Sequence, residues 1–141
     1  MTFQRVVAAA VCLFVVTPIL ACRCLEPAST EQAYENAQAV ILASVDSVDG
    51  VGDSLAGARA RLSVKEAWKS DVVCNIEVST STTCAFDFRP GNEYLLYLYS
   101  DKVSGQWNTR ICVGNTPADG AAAALEWLRL KGLKAQIRPP R

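Results

Sequence analysis

The sequence Cys22-Arg23-Cys24 stands directly after an apolar leader and is the stretch around which the fold is organised. Unanchored chain ends are usually disordered, so two cysteines at the start of a mature domain indicate an end that is crosslinked to the rest of the fold. If the leader is cut after Ala21, the mature protein begins with the α-amino group of Cys22. An amine and a carbonyl group held at the surface by crosslinks form a usable chemical group.

Residues 1–21 have the three-part order of a secretory signal. Arg5 supplies a positive charge, residues 6–16 are uninterruptedly apolar, and the segment ends in the small residue Ala21. A membrane-spanning helix needs about 20 apolar residues, and this run is shorter and is followed by Pro18. We therefore predict a signal peptide over 1–21 and a secreted or periplasmic protein.

The composition narrows the chemistry that is open to the mature chain. The protein has 14 basic and 14 acidic residues, and the loss of Arg5 leaves a slight acidic excess. Nucleic acids and anionic membranes favour a basic excess, so we expect no nucleic-acid partner. The sequence has no histidine, the commonest general base and metal ligand, and it shows no nucleophile elbow or phosphate-binding glycine loop. It therefore predicts a protein that is not an enzyme and has no cofactor.

Five stretches concentrate or alternate apolar residues in the way that β-strands do. They are residues 39–48, 58–68, 72–78, 93–99 and 106–113. Glu66 interrupts the alternation of the second stretch and indicates a bulge. In the same stretch Arg59, Arg61 and Lys65 share one face, which we interpret as a solvated edge.

A helix pattern stands on each side of these strands. Ser29 or Thr30 can cap a short helix before the first strand. A second helix is predicted from Thr116, its cap, to about Lys131, with Pro117 at its first position. Five strands with two flanking helices predict an all-β fold. They fit a small closed antiparallel barrel, and several other barrel and sandwich topologies have the same number of strands.

Three motifs resemble one known family. Cys22-x-Cys24 opens the mature chain, Cys84-Ala-Phe-Asp-Phe-x-Pro-Gly-Asn-Glu-Tyr-Leu leads into the most apolar strand, and Arg110-Ile-Cys112 precedes the second helix. In this order they resemble the N-terminal domain of the tissue inhibitors of metalloproteinases, a netrin-like module of OB fold. The resemblance implies a five-stranded OB-fold barrel over residues 22–133, and we expect 134–141 to be a disordered tail.

The resemblance also implies two crosslinks. In the family the first cysteine pairs with one ahead of the central strand, and the second pairs with one in the last strand. Carried over to this chain, the disulfides are Cys22–Cys84 and Cys24–Cys112. The alternative is that these cysteines only hold a small exported domain together.

The function that the resemblance implies is inhibition of a zinc metalloprotease. The α-amine and carbonyl oxygen of Cys22 would chelate the zinc of the target in trans, and the inhibitory contact would be made by Cys22, Arg23, Cys24 and Leu25. Arg23 would point into the specificity pocket, where the vertebrate inhibitors have a small hydroxyl side chain. Pro27 stands one residue later than the proline of the family, and a third disulfide is missing. These departures leave the choice of target open.

The odd number of cysteines in the mature chain leaves a second interpretation of the protein open. Without the leader five cysteines remain, so one thiol is left over. In the pairing that the family implies the spare thiol is Cys74. In a rival pairing Cys74 bonds Cys84, and Cys22 is available for lipid attachment, because residues 19–22 resemble a bacterial lipoprotein cleavage site. The alternative function is then a membrane-anchored binding or structural domain of the cell envelope, the one case in which we expect a membrane contact.

Aromatic residues on the strands suggest a third class, since OB folds can bind oligonucleotides or sugars. The candidates for stacking are Trp68, Tyr94, Tyr97, Tyr99 and Trp107. Aromatic residues in alternating strands more often pack in the core, so we expect them to be core residues and expect the protein to be a monomer.

Overall fold

The structure, a computed structural model, describes residues 22, 24, 28–50, 57–80 and 84–141. The predicted signal peptide over 1–21 lies outside the described residues, as do Arg23, Leu25 and Pro27.

Strands make up most of the described chain. They are β1 (Ala39–Asp49), β2 (Arg59–Trp68), β3 (Val72–Val73), β4 (Asn75–Thr80), β5 (Glu93–Ser100), β6 (Trp107–Thr109), β7 (Thr116–Pro117) and β8 (Ile137–Arg138). Two α-helices flank them, α1 (Thr30–Asn36) and α2 (Ala122–Lys131), and a 3₁₀ turn (Ala118–Gly120) precedes α2.

Five of the strands close into a barrel. Their order is β1-β2-β4-β6-β5, and pairing of β1 with β5 completes the circle. The β4–β6 pair is parallel and the other barrel pairs are antiparallel. This is the five-stranded Greek-key arrangement of an OB fold, so the predicted all-β barrel with flanking helices is confirmed. The prediction that the barrel is antiparallel throughout is wrong at the β4–β6 pair.

Two apolar layers explain why β1 and β5 are the most apolar strands. Ile41 of β1 and Leu96 of β5 face the barrel interior, whereas Val40, Leu95 and their neighbours face outward under the helices. A strand that is covered on both faces reads as a continuous apolar run rather than as an alternation. The other strands alternate because water covers their outer face.

The first helix is defined by its caps. Ser29 and Gln32 form a capping box in which the Ser29 Oγ accepts from the Gln32 backbone N–H at 3.2 Å, as the sequence predicted. At the other end Lys69, in the left-handed region with φ 72°, donates its Nζ to the carbonyl oxygens of Tyr34, Glu35 and Ala37. The turn after β2 therefore fixes the end of α1 against the barrel.

The second helix differs from its prediction. It begins at Ala122, not at Thr116, because Thr116 and Pro117 pair with Leu95 and Tyr94 as strand β7. Its last helical residue is Lys131, as predicted, Gly132 is its C-cap, and the helix buries Leu125 and Leu128.

One predicted strand is divided in the structure and another is shorter. The stretch 72–78 divides at Cys74, whose backbone N–H donates to the carbonyl of Arg138. The stretch 106–113 is strand only over Trp107–Thr109. The predicted bulge at Glu66 is confirmed, because Leu42 faces Glu66 while Ala43 faces Val64.

The prediction of a disordered tail is wrong for residues 134–138. Lys134 forms a bridge with Trp68, and β8 pairs in parallel with β3. The Asp71 carboxylate accepts from the Gln136 backbone N–H at 2.9 Å and also binds the Arg138 guanidinium. These backbone and side-chain hydrogen bonds hold residues 134–138 against the rest of the fold.

Candidate functional site

Two disulfides hold the predicted mature start of the chain. Cys22 bonds Cys84 with their Cα atoms 5.7 Å apart, and Cys24 bonds Cys112 with 5.2 Å between the Cα atoms. These are the two bridges that the resemblance implies. The rival Cys74–Cys84 pairing is absent, and Cys74 is a half-buried free thiol.

The two loops that receive these bridges are joined to each other. The Ile111 backbone N–H donates to the carbonyl oxygen of Cys84 at 3.0 Å. Cys112 lies in the turn after β6, not in a strand as the resemblance implied, and its φ is 69°. Residues 22 and 24 are therefore tied to two neighbouring points at one end of the barrel.

Asn115 fixes the loop that carries Cys112. Its Oδ1 accepts from the Tyr97 backbone N–H at 2.9 Å, and its Nδ2 donates to the Thr109 Oγ1 at 2.8 Å and to the Arg110 carbonyl at 3.1 Å. Thr109 is buried and its hydroxyl donates to the Tyr97 carbonyl at 2.8 Å. The loop is thus bonded to β5 through two polar side chains.

Gly114 allows the same loop to pack closely. Its φ is 108°, and a Cβ there would lie 2.9 Å from the Ala33 Cβ and 3.0 Å from the Tyr97 ring. A larger residue would push the loop away from both α1 and β5. Sequence analysis missed Asn115 and Gly114, and their adjacency, a turn-forming Gly-Asn pair, was the only local signal for them.

A pocket of about 390 Å³ lies beside this loop. It is lined by Ser79, Thr80, Tyr99, Asn108, Thr109 and Arg110. Burial raises the pKa of the Tyr99 hydroxyl, and the neighbouring charge of Arg110 opposes that rise. The side chains that line the pocket carry hydroxyl, amide and guanidinium groups but no carboxylate. Such a lining can bind polar or anionic groups of a partner.

The charged stripe of β2 is solvent-exposed, as predicted, but the prediction of an edge strand is wrong, because β2 pairs with both β1 and β4. The guanidinium of Arg59 lies 3.7 Å from Glu77, and Lys65 binds Glu93. Arg59, Arg61 and Lys65 are all exposed. The stripe is therefore a mixed-charge surface, as expected for solvated strand positions.

Three of the five aromatic candidates are core residues. Trp68, Tyr94 and Tyr97 are buried, and burial raises the pKa of Tyr97 to about 12. Tyr99 and Trp107 are partly buried against the core. These five aromatic residues therefore do not form an exposed surface on which bases or sugar rings could stack.

The described residues also limit the other possible sites. No group of three or more His, Cys, Asp or Glu side chains among them could hold a metal ion. No helix in the described part of the chain is long and apolar enough to cross a bilayer. The two disulfides indicate an oxidising compartment, such as the periplasm or the extracellular space.

Comparison with known proteins does not add a relative. The chain matches no family model, and no curated protein matches its sequence. The resemblance to the metalloproteinase inhibitors stays a hypothesis that rests on the motifs and their spacing.

Proposed function

We propose that the chain is exported, is cut after Ala21, and inhibits a zinc metalloprotease through the α-amine and carbonyl oxygen of Cys22. The observation that carries the proposal is the pair of bridges Cys22–Cys84 and Cys24–Cys112. They hold both ends of the tripeptide Cys22-Arg23-Cys24 to adjacent loops of a closed barrel. A fixed tripeptide loses little conformational entropy when it enters a cleft.

The chemistry of a protease zinc suits such an end. A catalytic zinc has three protein ligands and an open position that water occupies. An α-amino group has an unperturbed pKa of about 7.7 to 8.0, so a metal can compete for its lone pair at neutral pH. The amine and carbonyl of one residue then replace the water, and no catalytic group of the inhibitor takes part.

Arg23 is the residue that we expect to select the target. A guanidinium beside the zinc requires an acidic or open specificity pocket, because an unpaired buried charge is costly. The preferred partner is therefore a zinc protease whose pocket next to the metal contains a carboxylate. We expect a monomeric inhibitor that forms a one-to-one complex.

The experiment adds one alanine ahead of Cys22 of the mature protein. The addition moves the amine away from the zinc without touching either disulfide, so inhibition should fall by at least about 100-fold, the loss of a metal ligand. Inhibition constants are measured against a panel of zinc endopeptidases that includes proteases with acidic specificity pockets. Undiminished inhibition by the extended protein would exclude chelation.

A matched control adds the alanine after Arg141 instead. This variant has the same composition as the first and should inhibit like the unmodified protein. Arg23→Ser is compared in the same panel and should shift the preference towards proteases with small or apolar pockets.

The lipid-anchored alternative requires a Cys22 sulfur atom that is not in a disulfide. A lipid thioether would use the sulfur atom that bonds Cys84, so the two states exclude each other. The intact mass of the mature protein separates them, because a diacylglyceryl adduct would add a lipid mass and remove one disulfide.

A further inference from the structure

The charge balance of the whole chain hides a local excess of positive charge. Residues 129–141 include five basic residues and no acidic one. The basic residues are Arg129, Lys131, Lys134, Arg138 and Arg141. Among the described residues, their carboxylate partners are Glu66, which binds Arg129 and Lys134, and Asp71, which binds Arg138. Two carboxylates leave the segment with a net positive charge.

Large apolar side chains are exposed in the same segment. Leu130 is 77% exposed and Leu133 is 68% exposed. They lie on either side of the turn at Gly132 where α2 ends, and Lys131 and Lys134 directly follow them. A single exposed leucine is ordinary, but two leucines interleaved with lysines at one turn form an apolar and cationic patch.

The patch is held rigidly on the barrel. The Leu133 backbone N–H donates to the Tyr34 hydroxyl at 2.9 Å, and its carbonyl accepts from the Lys69 backbone N–H at 2.8 Å. The Lys134 Nζ lies 5.1 Å from the centre of the Trp68 ring. Because its backbone is already bonded, the patch can dock without a folding step.

We propose that this patch docks the protein on an anionic lipid surface. Leu130 and Leu133 enter the boundary between headgroups and acyl chains, and Lys131, which has no carboxylate partner among the described residues, lies among the lipid phosphates, while Lys134 stays paired with Glu66. Apolar side chains gain from this boundary, and each cation gains from the negative surface potential. A soluble polyanion would attract the lysines but would leave the leucines in water, so the leucines favour a membrane. The inference is independent of protease inhibition.

The test is co-sedimentation of the purified full chain with two kinds of vesicle. One contains phosphatidylglycerol mixed with phosphatidylcholine, and the other contains phosphatidylcholine alone. The protein should sediment with the anionic vesicles and stay in solution with the neutral ones. Raising the salt from about 0.1 M to about 1 M, which shortens the Debye length from about 10 to about 3 Å, should weaken binding.

Variants separate the two contributions. Leu130→Ser with Leu133→Ser should weaken partitioning more than about tenfold, and Lys131→Gln should weaken it about fivefold. Val103→Ser is the matched control, because Val103 is 98% exposed in the loop between β5 and β6, and it should bind like the unmodified protein.

Three results would overturn the proposal. The first is an unmodified protein that stays in solution with anionic vesicles. The second is a double leucine variant that binds normally while Lys131→Gln binds weakly, which would indicate a soluble polyanion as the partner. The third is equal weakening by Val103→Ser. If the double variant has a lower thermal midpoint, Leu133→Ser alone decides, because Leu133 lies outside the helix and both hydrogen bonds described above are made by its own backbone atoms.

Discussion

Asn115 takes over the hydrogen bonding of β5 at the point where β6 has ended. Its side chain binds the Tyr97 amide, the Thr109 hydroxyl and the Arg110 carbonyl. We expect Asn115→Ala to lower the free energy of unfolding by about 1 to 3 kcal/mol, because polar groups of β5 and β6 lose their partner. Urea denaturation at an unchanged m-value measures the loss.

Asn108→Ala is the control for this change. Asn108 is half-buried in β6, and its side chain makes no hydrogen bond to another described residue. It should cost less than about 0.5 kcal/mol. Equal losses in the two variants would mean that the Asn115 network does not hold the loop.

Local patterns could not reveal this residue. Asn115 and Tyr97 are 18 positions apart, and a single side chain that replaces a strand produces no periodicity. The disulfide partners of the cysteines, unlike the contacts of Asn115, were predicted, because the family resemblance implied them. The structure has the same two bridges. Spacing within this chain alone left the rival Cys74–Cys84 pairing open.

At the scale of elements, Glu66 connects the bulge of β2 to the end of α2. Its carboxylate binds Arg129 and Lys134, and the hydrogen bond from Arg129 is the largest cause that lowers the pKa of Glu66. A carboxyl group with a lowered pKa in the folded state adds stability above its usual pKa, and that stability is lost as the pH falls through the lowered value. Asp71 behaves in the same way, because its bonds from Gln136 and Arg138 lower its pKa.

Glu66→Gln should therefore cost about 1 kcal/mol at neutral pH, a value typical of partly exposed ion pairs. Its stability should also fall less steeply than that of the unmodified protein between about pH 5 and about pH 3. Thermal unfolding across this pH range measures both effects. Glu126→Gln is the control, because Glu126 lies exposed on α2 and forms no ion pair with another described residue. An equal effect there would exclude a specific role for Glu66.

Elements were predictable where one local signal dominated. The cap of α1, predicted at Ser29 or Thr30, and the end of α2 near Lys131 are such signals, and the structure has the cap at Ser29 and the helix end at Lys131. Thr116 and Pro117 also look like a helix start, but pairing with the edge of β5 outweighs that preference. Strand β8 was missed because it consists of Ile137 and Arg138 only and depends on a partner, β3, far away in sequence.

At the scale of the whole molecule, alternation and apolar runs were enough to predict an all-β fold of five strands, and the family resemblance selected a closed barrel among the topologies that fit this number. These patterns gave the number of barrel strands and identified β5 as the most apolar one, and β5 is buried along most of its length. They did not fix the order of the strands. The parallel β4–β6 pair brings the ends of both strands together, and this is what places the loops of Cys84 and Cys112 side by side.

The two disulfides join the start of the described chain to these loops. Their removal therefore tests the stability of the whole fold. Cys24–Cys112 joins residues 88 positions apart and Cys22–Cys84 joins residues 62 apart. In the chain-entropy model each such crosslink stabilises the fold by about 4 kcal/mol. This is a large part of the free energy of unfolding of a typical domain, about 5 to 15 kcal/mol. Replacing Cys24 and Cys112 by serine should lower the free energy of unfolding by about that amount.

Cys74→Ser is the matched control for the paired replacement, because Cys74 belongs to neither bridge. It should change stability by less than about 1 kcal/mol. A non-reduced peptide map of each variant shows which bridges remain, and urea denaturation gives the stability. A large loss from Cys74→Ser with a small loss from the paired replacement would mean that Cys74 takes part in the pairing. The tripeptide at residues 22–24 would then be held at one point and could turn, which would remove the physical basis for a preformed chelating end.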